Sequence, residues 1–214
     1  MGSRQRPGVA AFDFDGTLVP GDSLMPFLTR IHGRRDAGLI LAASGPAMMV
    51  AYRSAGRDGA KAALLRRALA GLPVSSVVAK GEGYGRHLAD RVRPAMAARL
   101  AWHRSEGHRL LLVSASLATY LEPFARCVGI DEVIATRLEV GPEGRLTGRL
   151  HGANVRGPQK AARLTEAFGG QPVELWAYGD SAGDREMLAM ADHPHLVGRS
   201  GLAGSGRASL PRKA

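Results

Sequence analysis

The sequence predicts an α/β fold built on a doubly wound parallel sheet. Three short apolar runs carry this prediction, and each ends in a small or acidic residue: Val9–Asp13, Arg109–Ser114 and Glu174–Asp180. Strands of a parallel sheet that is covered on both faces read as continuous apolar runs of this kind. Helical patterns alternate with the runs, which is the order expected of a doubly wound domain.

The other elements follow in chain order around these three strands. Short apolar runs predict two further strands, at Glu132–Ala135 and Leu196–Val197. Helical spacing predicts four helices, at Ala95–Glu106, Ala118–Cys127, Gln159–Phe168 and Asp184–Ala191. Alternation on both sides of a Gly-Pro-Glu-Gly turn predicts a β-hairpin over residues 137–150. The whole pattern is that of a Rossmann-like core with one hairpin.

Residues 22–91 interrupt the alternation with Ala- and Leu-rich helical sequence. We predict an inserted cap subdomain of three or four helices here, broken at Gly45-Pro46, at Gly56 and at Gly71-Leu72-Pro73. The core domain is then discontinuous and comprises residues 7–21 and 92–198. Residues 199–214 lack apolar periodicity and are predicted to form a basic, flexible tail.

The charge balance is strongly basic, with a formal net charge of +10 from 29 Lys and Arg against 19 Asp and Glu. Six of the basic residues lie at the two ends of the chain, which leaves +4 for residues 7–198. Because nucleic-acid grooves need clustered charge within the fold, we disfavour a nucleic-acid-binding function.

The cysteine content and the length of the apolar stretches indicate where in the cell the protein is expected. The single cysteine excludes an internal disulfide, and we expect a cytoplasmic protein without a secretory signal. The longest apolar stretch, Ala37–Tyr52, is shorter than the roughly 20 residues of a membrane-spanning helix. No transmembrane segment is predicted, although peripheral contact with a membrane surface stays open. The sequence is compatible with a monomer or a homodimer.

Two acidic pairs follow strands that are predicted to be neighbours. Asp13 and Asp15 come directly after the first strand, and Asp180 and Asp184 follow the strand that ends near Gly179. Carboxylates placed so closely repel one another unless a cation compensates them, and Mg²⁺ prefers oxygen ligands. Each pair taken alone is also compatible with an ordinary turn or helix cap. Together they predict a metal site.

Two further segments supply anion-binding groups. Ser114 follows a strand and precedes a helix, so its hydroxyl and the N–H of Ala115 are placed to bind a phosphate at a helix N-terminus. Lys160 lies in the first turn of a predicted helix and is one of only four lysines. A lysine at that position could neutralise both the acidic pair and a bound phosphate.

The four motifs, in this order and on these elements, resemble the haloacid dehalogenase-like phosphatases, in particular the branch that contains phosphoserine phosphatase. The motifs are DFDGT from Asp13, Ser114 after its strand, Lys160, and GDSAGD ending at Asp184. The helical insertion after the first motif lies where that branch carries its cap domain.

The resemblance implies a site and a mechanism. Asp13 is the expected nucleophile and Asp15 the expected acid and base, with Lys160 as the third catalytic residue. Mg²⁺ is the expected cofactor, and Asp184 is expected to support its ligands from outside. The ligands are expected from Asp13, the backbone carbonyl of Asp15 and Asp180. Phosphate-binding groups are expected from Ser114, Ala115, Gly16, Thr17 and Lys160, with the backbone N–H groups of Phe14 and Asp15.

The resemblance implies a small phosphomonoester as substrate, such as phosphoserine or histidinol phosphate. Within the cap, Asp22 and Arg66 are the candidate substrate contacts. The apolar segment Leu39–Tyr52 favours an alternative, a phosphatase of a phospholipid precursor such as phosphatidylglycerophosphate. A non-catalytic phosphate-binding or regulatory module is the alternative from another class of protein.

Overall fold

A computed structural model of the chain describes residues 6–198 and 201–202. It contains one seven-stranded sheet in the order β4-β3-β2-β1-β5-β6-β7. The strands are β1 Gly8–Phe12, β2 Arg109–Leu117, β3 Glu132–Val140, β4 Leu146–His151, β5 Glu174–Gly179, β6 His193–Gly198 and β7 Gly201–Leu202. Strands β3, β2, β1, β5 and β6 pair in parallel, whereas β4 and β7 add antiparallel edges.

Seven α-helices accompany the sheet in the described part of the chain. They are α1 Leu24–His32, α2 Arg34–Leu69, α3 Val74–Ala89, α4 Pro94–Ser105, α5 Ala118–Val128, α6 Pro158–Phe168 and α7 Arg185–Ala189. A single 3-10 turn, Ala182–Asp184, precedes α7. The α/β class, the parallel central strands and the β3–β4 hairpin are therefore confirmed. The predicted tail, 199–214, lies almost entirely outside the described residues.

The central strands are buried because they are apolar along their whole length. In β1, Ala10, Ala11 and Phe12 are fully buried. One apolar cluster lies on each face of the sheet, and β1 contributes Phe12 to one and Ala11 to the other. This two-sided burial explains why the strands read as unbroken apolar runs. Because β1 pairs in parallel with both β2 and β5, the carboxyl ends of these three strands lie side by side.

The helical insertion comprises α1, α2 and α3, and one of its predicted breaks is wrong. Helix α2 continues through Gly45 and Pro46, and its backbone leaves helical geometry only at Ala55 and Gly56. Pro46 lacks an N–H, so the carbonyl four residues earlier loses its helical donor. Because both Ala42 and Pro46 are exposed, water can satisfy that carbonyl and the helix continues. Gly56 has a φ of 58°, which produces the kink.

The insertion shares its apolar core with the α/β domain. Leu65 of α2 and Tyr84 of α3 belong to the same buried cluster as Phe12 and Phe124. Helix α3 lies so close to α5 that a Cβ on Gly85 would come within 2.6 Å of the Tyr120 carbonyl oxygen. The assignment of 22–91 as a separate cap stays a prediction. No helix in the described residues is long and apolar enough to cross a membrane.

Candidate active site

The carboxyl ends of three neighbouring strands bring the sequence motifs together. Asp13 follows β1 and its backbone N–H donates to the carbonyl of Tyr178 in β5, at 2.9 Å. Ser114 lies in β2, which pairs with β1 on the other side. Asp180 follows β5 directly. Because these strands are parallel and adjacent, their carboxyl ends bring the motifs together, as the sequence predicts.

Lys160 occupies the centre of the site. Its Nζ lies 2.5 Å from Asp13 Oδ1 and 2.5 Å from Asp184 Oδ1. The Lys160 side chain is only 2% exposed, so this ammonium is shielded from water. The lysine sits near the start of α6, where Gly157 and Pro158 begin the helix. One buried cation therefore holds two carboxylates from separate elements.

Burial and charge act against each other on these groups. Burial raises the pKa of Asp13 to about 6, although the Lys160 ammonium beside it acts to lower that value. Burial alone would lower the pKa of Lys160, but the charges of Asp13 and Asp184 raise it above its ordinary value. Lys160 thus stays protonated and favours the ionised form of Asp13.

Asp15 is held through one of its two carboxylate oxygens. Its Oδ2 accepts hydrogen bonds from Ser116 Oγ at 2.5 Å and from Ser23 Oγ at 3.0 Å. Its Oδ1 is buried and has no hydrogen-bond partner among the described residues. Burial raises the pKa of Asp15 to about 7, although the two serine bonds act to lower it. A carboxyl of this kind is populated in both protonation states near neutral pH.

The two residues of the second acidic pair, Asp180 and Asp184, are placed differently. Asp184 is buried, and its Oδ2 accepts from the N–H groups of Asp180 and Ser181 and from the Ser181 hydroxyl. With Oδ1 on Lys160, both oxygens of Asp184 are engaged by the protein. Asp180 is exposed and lies against Gly16, where a Cβ would come within 2.0 Å of Asp180 Oδ2. Gly16 also has a φ of 78°. Glycine is therefore required at this position both by the backbone conformation and by the close approach of Asp180.

The acidic residues fit a hard divalent cation. Oxygens of Asp13, Asp180 and Asp184 all lie within 4.8 Å of one another. Lys160 supplies one positive charge against three carboxylates, so the ionised cluster carries a net negative charge. Burial is the larger cause that raises the pKa of Asp180, and the charge of Asp184 acts in the same direction. Oxygen donors with surplus negative charge are the set that Mg²⁺ selects.

The predicted phosphate-binding residues lie around this cluster. Thr17 is fully buried and its hydroxyl donates to Asp13 Oδ2 at 3.2 Å. Ser114 is buried, and its Oγ accepts from the N–H of Ser116 at 3.1 Å. The expectation that Ser114 and Ala115 follow the strand at a helix N-terminus is wrong, because both lie within β2, which extends to Leu117 before α5 begins. The Ala115 carbonyl oxygen accepts a hydrogen bond from Lys61 Nζ. A direct role of these groups in phosphate binding stays a prediction.

The two predicted substrate contacts are placed differently. Asp22 lies at the start of α1, where its Oδ1 accepts from the N–H groups of Leu24 and Met25, and it borders the cavity that contains Asp15. Arg66 is exposed on α2, with its backbone against Gly148 of β4. Arg66 borders a different cavity, formed between the two halves of α2. The structure brings Asp22 to the site but not Arg66.

A cavity of about 470 Å³ lies between the insertion and the sheet edge. Its floor includes Asp15 and Ser116, and the insertion contributes Lys61. Lys61 Nζ donates to the carbonyl of Ala115 and, at 2.7 Å, to Asn154 Oδ1. Burial lowers the pKa of Lys61 to about 8, although nearby carboxylates led by Asp58 act to raise it. This lysine connects the insertion to β2 and to the segment that follows β4.

Lys61, Asn154 and the serines around Asp15 were missed by the sequence reasoning. The rarity of lysine, which singled out Lys160, applies equally to Lys61 and could have identified it. Ser116 lies two residues from Ser114 in the same tripeptide. Ser23 and Asn154 carry no local pattern that marks them.

The site and the fold define a class of protein that comparison with known sequences also identifies. The haloacid dehalogenase-like hydrolase family profile matches residues 10–189. The chain belongs to this family of hydrolases.

Particular relatives cover most of the chain. Protein CicA of Caulobacter vibrioides is 38% identical over 188 residues, which is 87% of this chain and 84% of that protein. The phosphoserine phosphatase of Halobacterium salinarum is 30% identical over 190 residues, covering 86% of this chain and 82% of its own. A solved structure of a protein with unknown function from Bordetella pertussis Tohama I has a TM-score of 0.72 at 24% identity, with 90% of both chains covered.

Proposed function

We propose that the protein is a Mg²⁺-dependent phosphomonoester hydrolase that acts through an aspartyl-phosphate intermediate. The observation that carries the proposal is the buried contact of Lys160 with Asp13 and Asp184, beside the free oxygen of Asp15. A small phosphorylated metabolite, phosphoserine-like or histidinol-phosphate-like, is the proposed substrate. The identity with the Halobacterium phosphoserine phosphatase supports this class.

The metal would be held by oxygens at the end of β1 and β5. Its proposed ligands are the carboxylates of Asp13 and Asp180 and the backbone carbonyl of Asp15. When bound, Mg²⁺ would polarise the phosphoryl oxygens and offset their charge. Asp184 is not a proposed ligand, since both of its oxygens already accept hydrogen bonds from Lys160 and from the turn that follows β5. It instead orients Lys160.

Asp13 is the proposed nucleophile. A carboxylate oxygen of Asp13 attacks phosphorus, and the bond from phosphorus to the leaving oxygen breaks as the new bond forms. Lys160 keeps Asp13 ionised and offsets charge on the phosphoryl group. Hydrogen-bond donors for the phosphoryl oxygens come from Ser114 and the backbone N–H of Ala115, and from the turn that contains Gly16 and Thr17.

Asp15 is the proposed acid and base. Its Oδ2 is fixed by Ser116 and Ser23, so the unpartnered Oδ1 is the oxygen available for proton transfer. In the first step Asp15 protonates the leaving alcohol oxygen. In the second step it takes a proton from the water that attacks the phosphorus of the intermediate, which releases inorganic phosphate and regenerates Asp13.

A phospholipid-type phosphomonoester is the second candidate substrate. The cavity above Asp15 has an apolar wall to which Leu24, Met48, Tyr52 and Leu64 contribute. A small polar metabolite leaves such a wall without a partner, whereas an alkyl or acyl group would cover it.

The decisive experiment measures phosphate release with Mg²⁺ and with EDTA. The panel comprises phosphoserine, histidinol phosphate, phosphatidylglycerophosphate and p-nitrophenyl phosphate. Asp13→Asn removes the charge of the attacking oxygen, and we expect turnover to fall at least about 1,000-fold. Asp90→Asn, the same change at an exposed position at the end of α3, serves as the matched control.

The circular dichroism spectrum of Asp13→Asn should match that of the wild type, which separates lost chemistry from lost fold. Turnover of Asp13→Asn near the wild-type rate would refute the mechanism. A folded wild type without activity on the whole panel would instead favour the non-catalytic, phosphate-binding alternative, which phosphate titration by calorimetry would then test.

A further inference from the structure

The first half of α2 exposes a long uncharged surface. Residues 37–52 contain no charged side chain, and within them Leu39, Met49 and Val50 are 60%, 56% and 68% exposed. Single exposed apolar residues are ordinary on a protein surface, but a contiguous set on one element marks an interaction site. The active site described above uses none of these three side chains.

These side chains form a stripe with arginine at both ends. Arg35, Leu39, Pro46, Met49 and Arg53 follow one another at intervals of four, seven, three and four residues, and all are exposed. Such intervals place residues on one face of a helix. At 1.5 Å per residue, the two arginines lie about 27 Å apart along the axis. We call this face the α2 stripe and include Val50, which adjoins Met49.

We propose that the α2 stripe docks on the surface of an anionic lipid bilayer. An amphipathic helix lies in the plane of such a surface with apolar side chains at the boundary of headgroups and acyl chains, while arginines contact lipid phosphates. The arginines at both ends of the stripe complement that charge. Asp36 is the only acidic residue from Arg34 to Arg57.

The same arginines argue against a second copy of the chain as the occupant. Two stripes packed in parallel would place Arg35 on Arg35 and Arg53 on Arg53. Two stripes packed antiparallel would place Arg35 on Arg53. Either pairing brings like charges together as the helices are desolvated, which is unfavourable. A bilayer that carries negative headgroups satisfies the apolar centre and both basic ends at once.

The stripe also adjoins the cavity that contains Asp15 and Lys61. Met48 and Tyr52, on the same turns of α2 as Met49 and Val50, line the cavity that contains Asp15. Tyr52 is 53% exposed, so it forms part of the cavity wall and of the outer surface. Docking through the α2 stripe would therefore hold the cavity close to lipid headgroups. This consequence for substrate supply depends on the proposed function, whereas docking itself does not.

Vesicle co-sedimentation of the full chain tests the proposal. We expect the wild type to bind vesicles of phosphatidylcholine mixed with phosphatidylglycerol more tightly than vesicles of phosphatidylcholine alone. The double variant Met49→Glu with Val50→Glu should lower the partition coefficient on the mixed vesicles at least about tenfold. Both positions are exposed, so the variant is expected to fold.

A control of equal charge separates the stripe from the general basicity of the protein. Val78→Glu with Val140→Glu makes the same change at valines of α3 and β3 that are 43% and 53% exposed. This control should bind vesicles like the wild type. Equal loss in both double variants, or no binding by the wild type, would overturn the proposal. So would a wild-type dimer in light scattering that the stripe variant dissociates.

A second measurement keeps docking and catalysis apart. Hydrolysis of p-nitrophenyl phosphate, a water-soluble ester, should be unchanged in the Met49→Glu and Val50→Glu variant. If no substrate is hydrolysed by any form of the protein, the proposed function fails while the vesicle result still decides the docking proposal.

Discussion

Replacing Lys160 with methionine removes the charge that holds the two acidic motifs together. The Lys160 ammonium lies 2.5 Å from Asp13 Oδ1 and from Asp184 Oδ1, and both carboxyl groups are at most 9% exposed. Removing one partner of a buried ion pair costs about 3–5 kcal/mol, because the remaining charge stays desolvated without compensation. Methionine fills a similar volume, so little of the loss arises from packing. We expect the free energy of unfolding to fall by about 3 kcal/mol or more.

Activity should fall as well, for a related reason. In the proposed mechanism, the same ammonium offsets the charge of Asp13 and of the phosphoryl group that Asp13 attacks. Preorganised charges in a site closed to water are worth several kcal/mol in the transition state. We therefore expect Lys160→Met to lower turnover by about 100-fold or more, measured under conditions in which the variant is still folded.

Urea unfolding followed by circular dichroism measures the stability change. At about 2–4 °C per kcal/mol for a domain of this size, the predicted loss lowers the melting temperature by about 6–12 °C. Lys80→Met, at an exposed position on α3, is the matched control and should stay within about 0.5 kcal/mol of the wild type. A Lys160→Met protein that unfolds within 1 kcal/mol of the wild type would refute the electrostatic reasoning.

Two further predictions concern the fold. Burial, followed by the charge of His108, lowers the pKa of the fully buried His103 to about 3 from 6.5. The unfolded chain therefore takes up this proton first, so stability is complete above pH 6.5 and is lost as the pH falls toward 3. The loss is roughly 2 kcal/mol at pH 5, and unfolding of His103→Gln across this range should lack it. Gly85→Ala should cost about 1–3 kcal/mol of unfolding free energy, because its Cβ would lie 2.6 Å from the Tyr120 carbonyl oxygen. Gly83→Ala on the same helix meets no atom within 4 Å and should gain up to about 1 kcal/mol, and loss of stability in both alanine variants would contradict the packing argument.

The parallel strands could be predicted from sequence because the burial of each strand is visible in its own run of apolar residues. A strand that is buried on both faces must be apolar along its buried length, and residues 110–113 show this before any partner is known. The motifs at the strand ends were predictable for the same reason, since each follows such a run directly. Their convergence then required only that the strands be parallel and adjacent.

The features that were missed depend on contacts between distant parts of the chain. Lys61 and Ala115 are 54 residues apart, so no pattern around Lys61 reveals its hydrogen bond to that carbonyl. Arg66 carries a suitable charge within the helical insertion, yet it borders the cavity between the two halves of α2 and not the cavity that contains Asp15. The course of α2 through Pro46 depends on solvent exposure, which the local sequence does not specify.

Under the proposed function, we expect substrate selection to reside in α2, because of the way the insertion packs on the core. Helix α3 approaches α5 so closely at Gly81 and Gly85 that a methyl group would meet backbone atoms at both positions. At these two positions the helices are in contact through their backbones. The cavity above Asp15 instead takes much of its wall from α2, including Lys61 and Tyr52. Because α3 fixes the insertion to the core, variation along α2 can change the leaving group that is accepted without disturbing Asp13 or Lys160. Substitutions in α2 should therefore change KM among phosphomonoesters, whereas those at the sheet edge should change kcat for all of them.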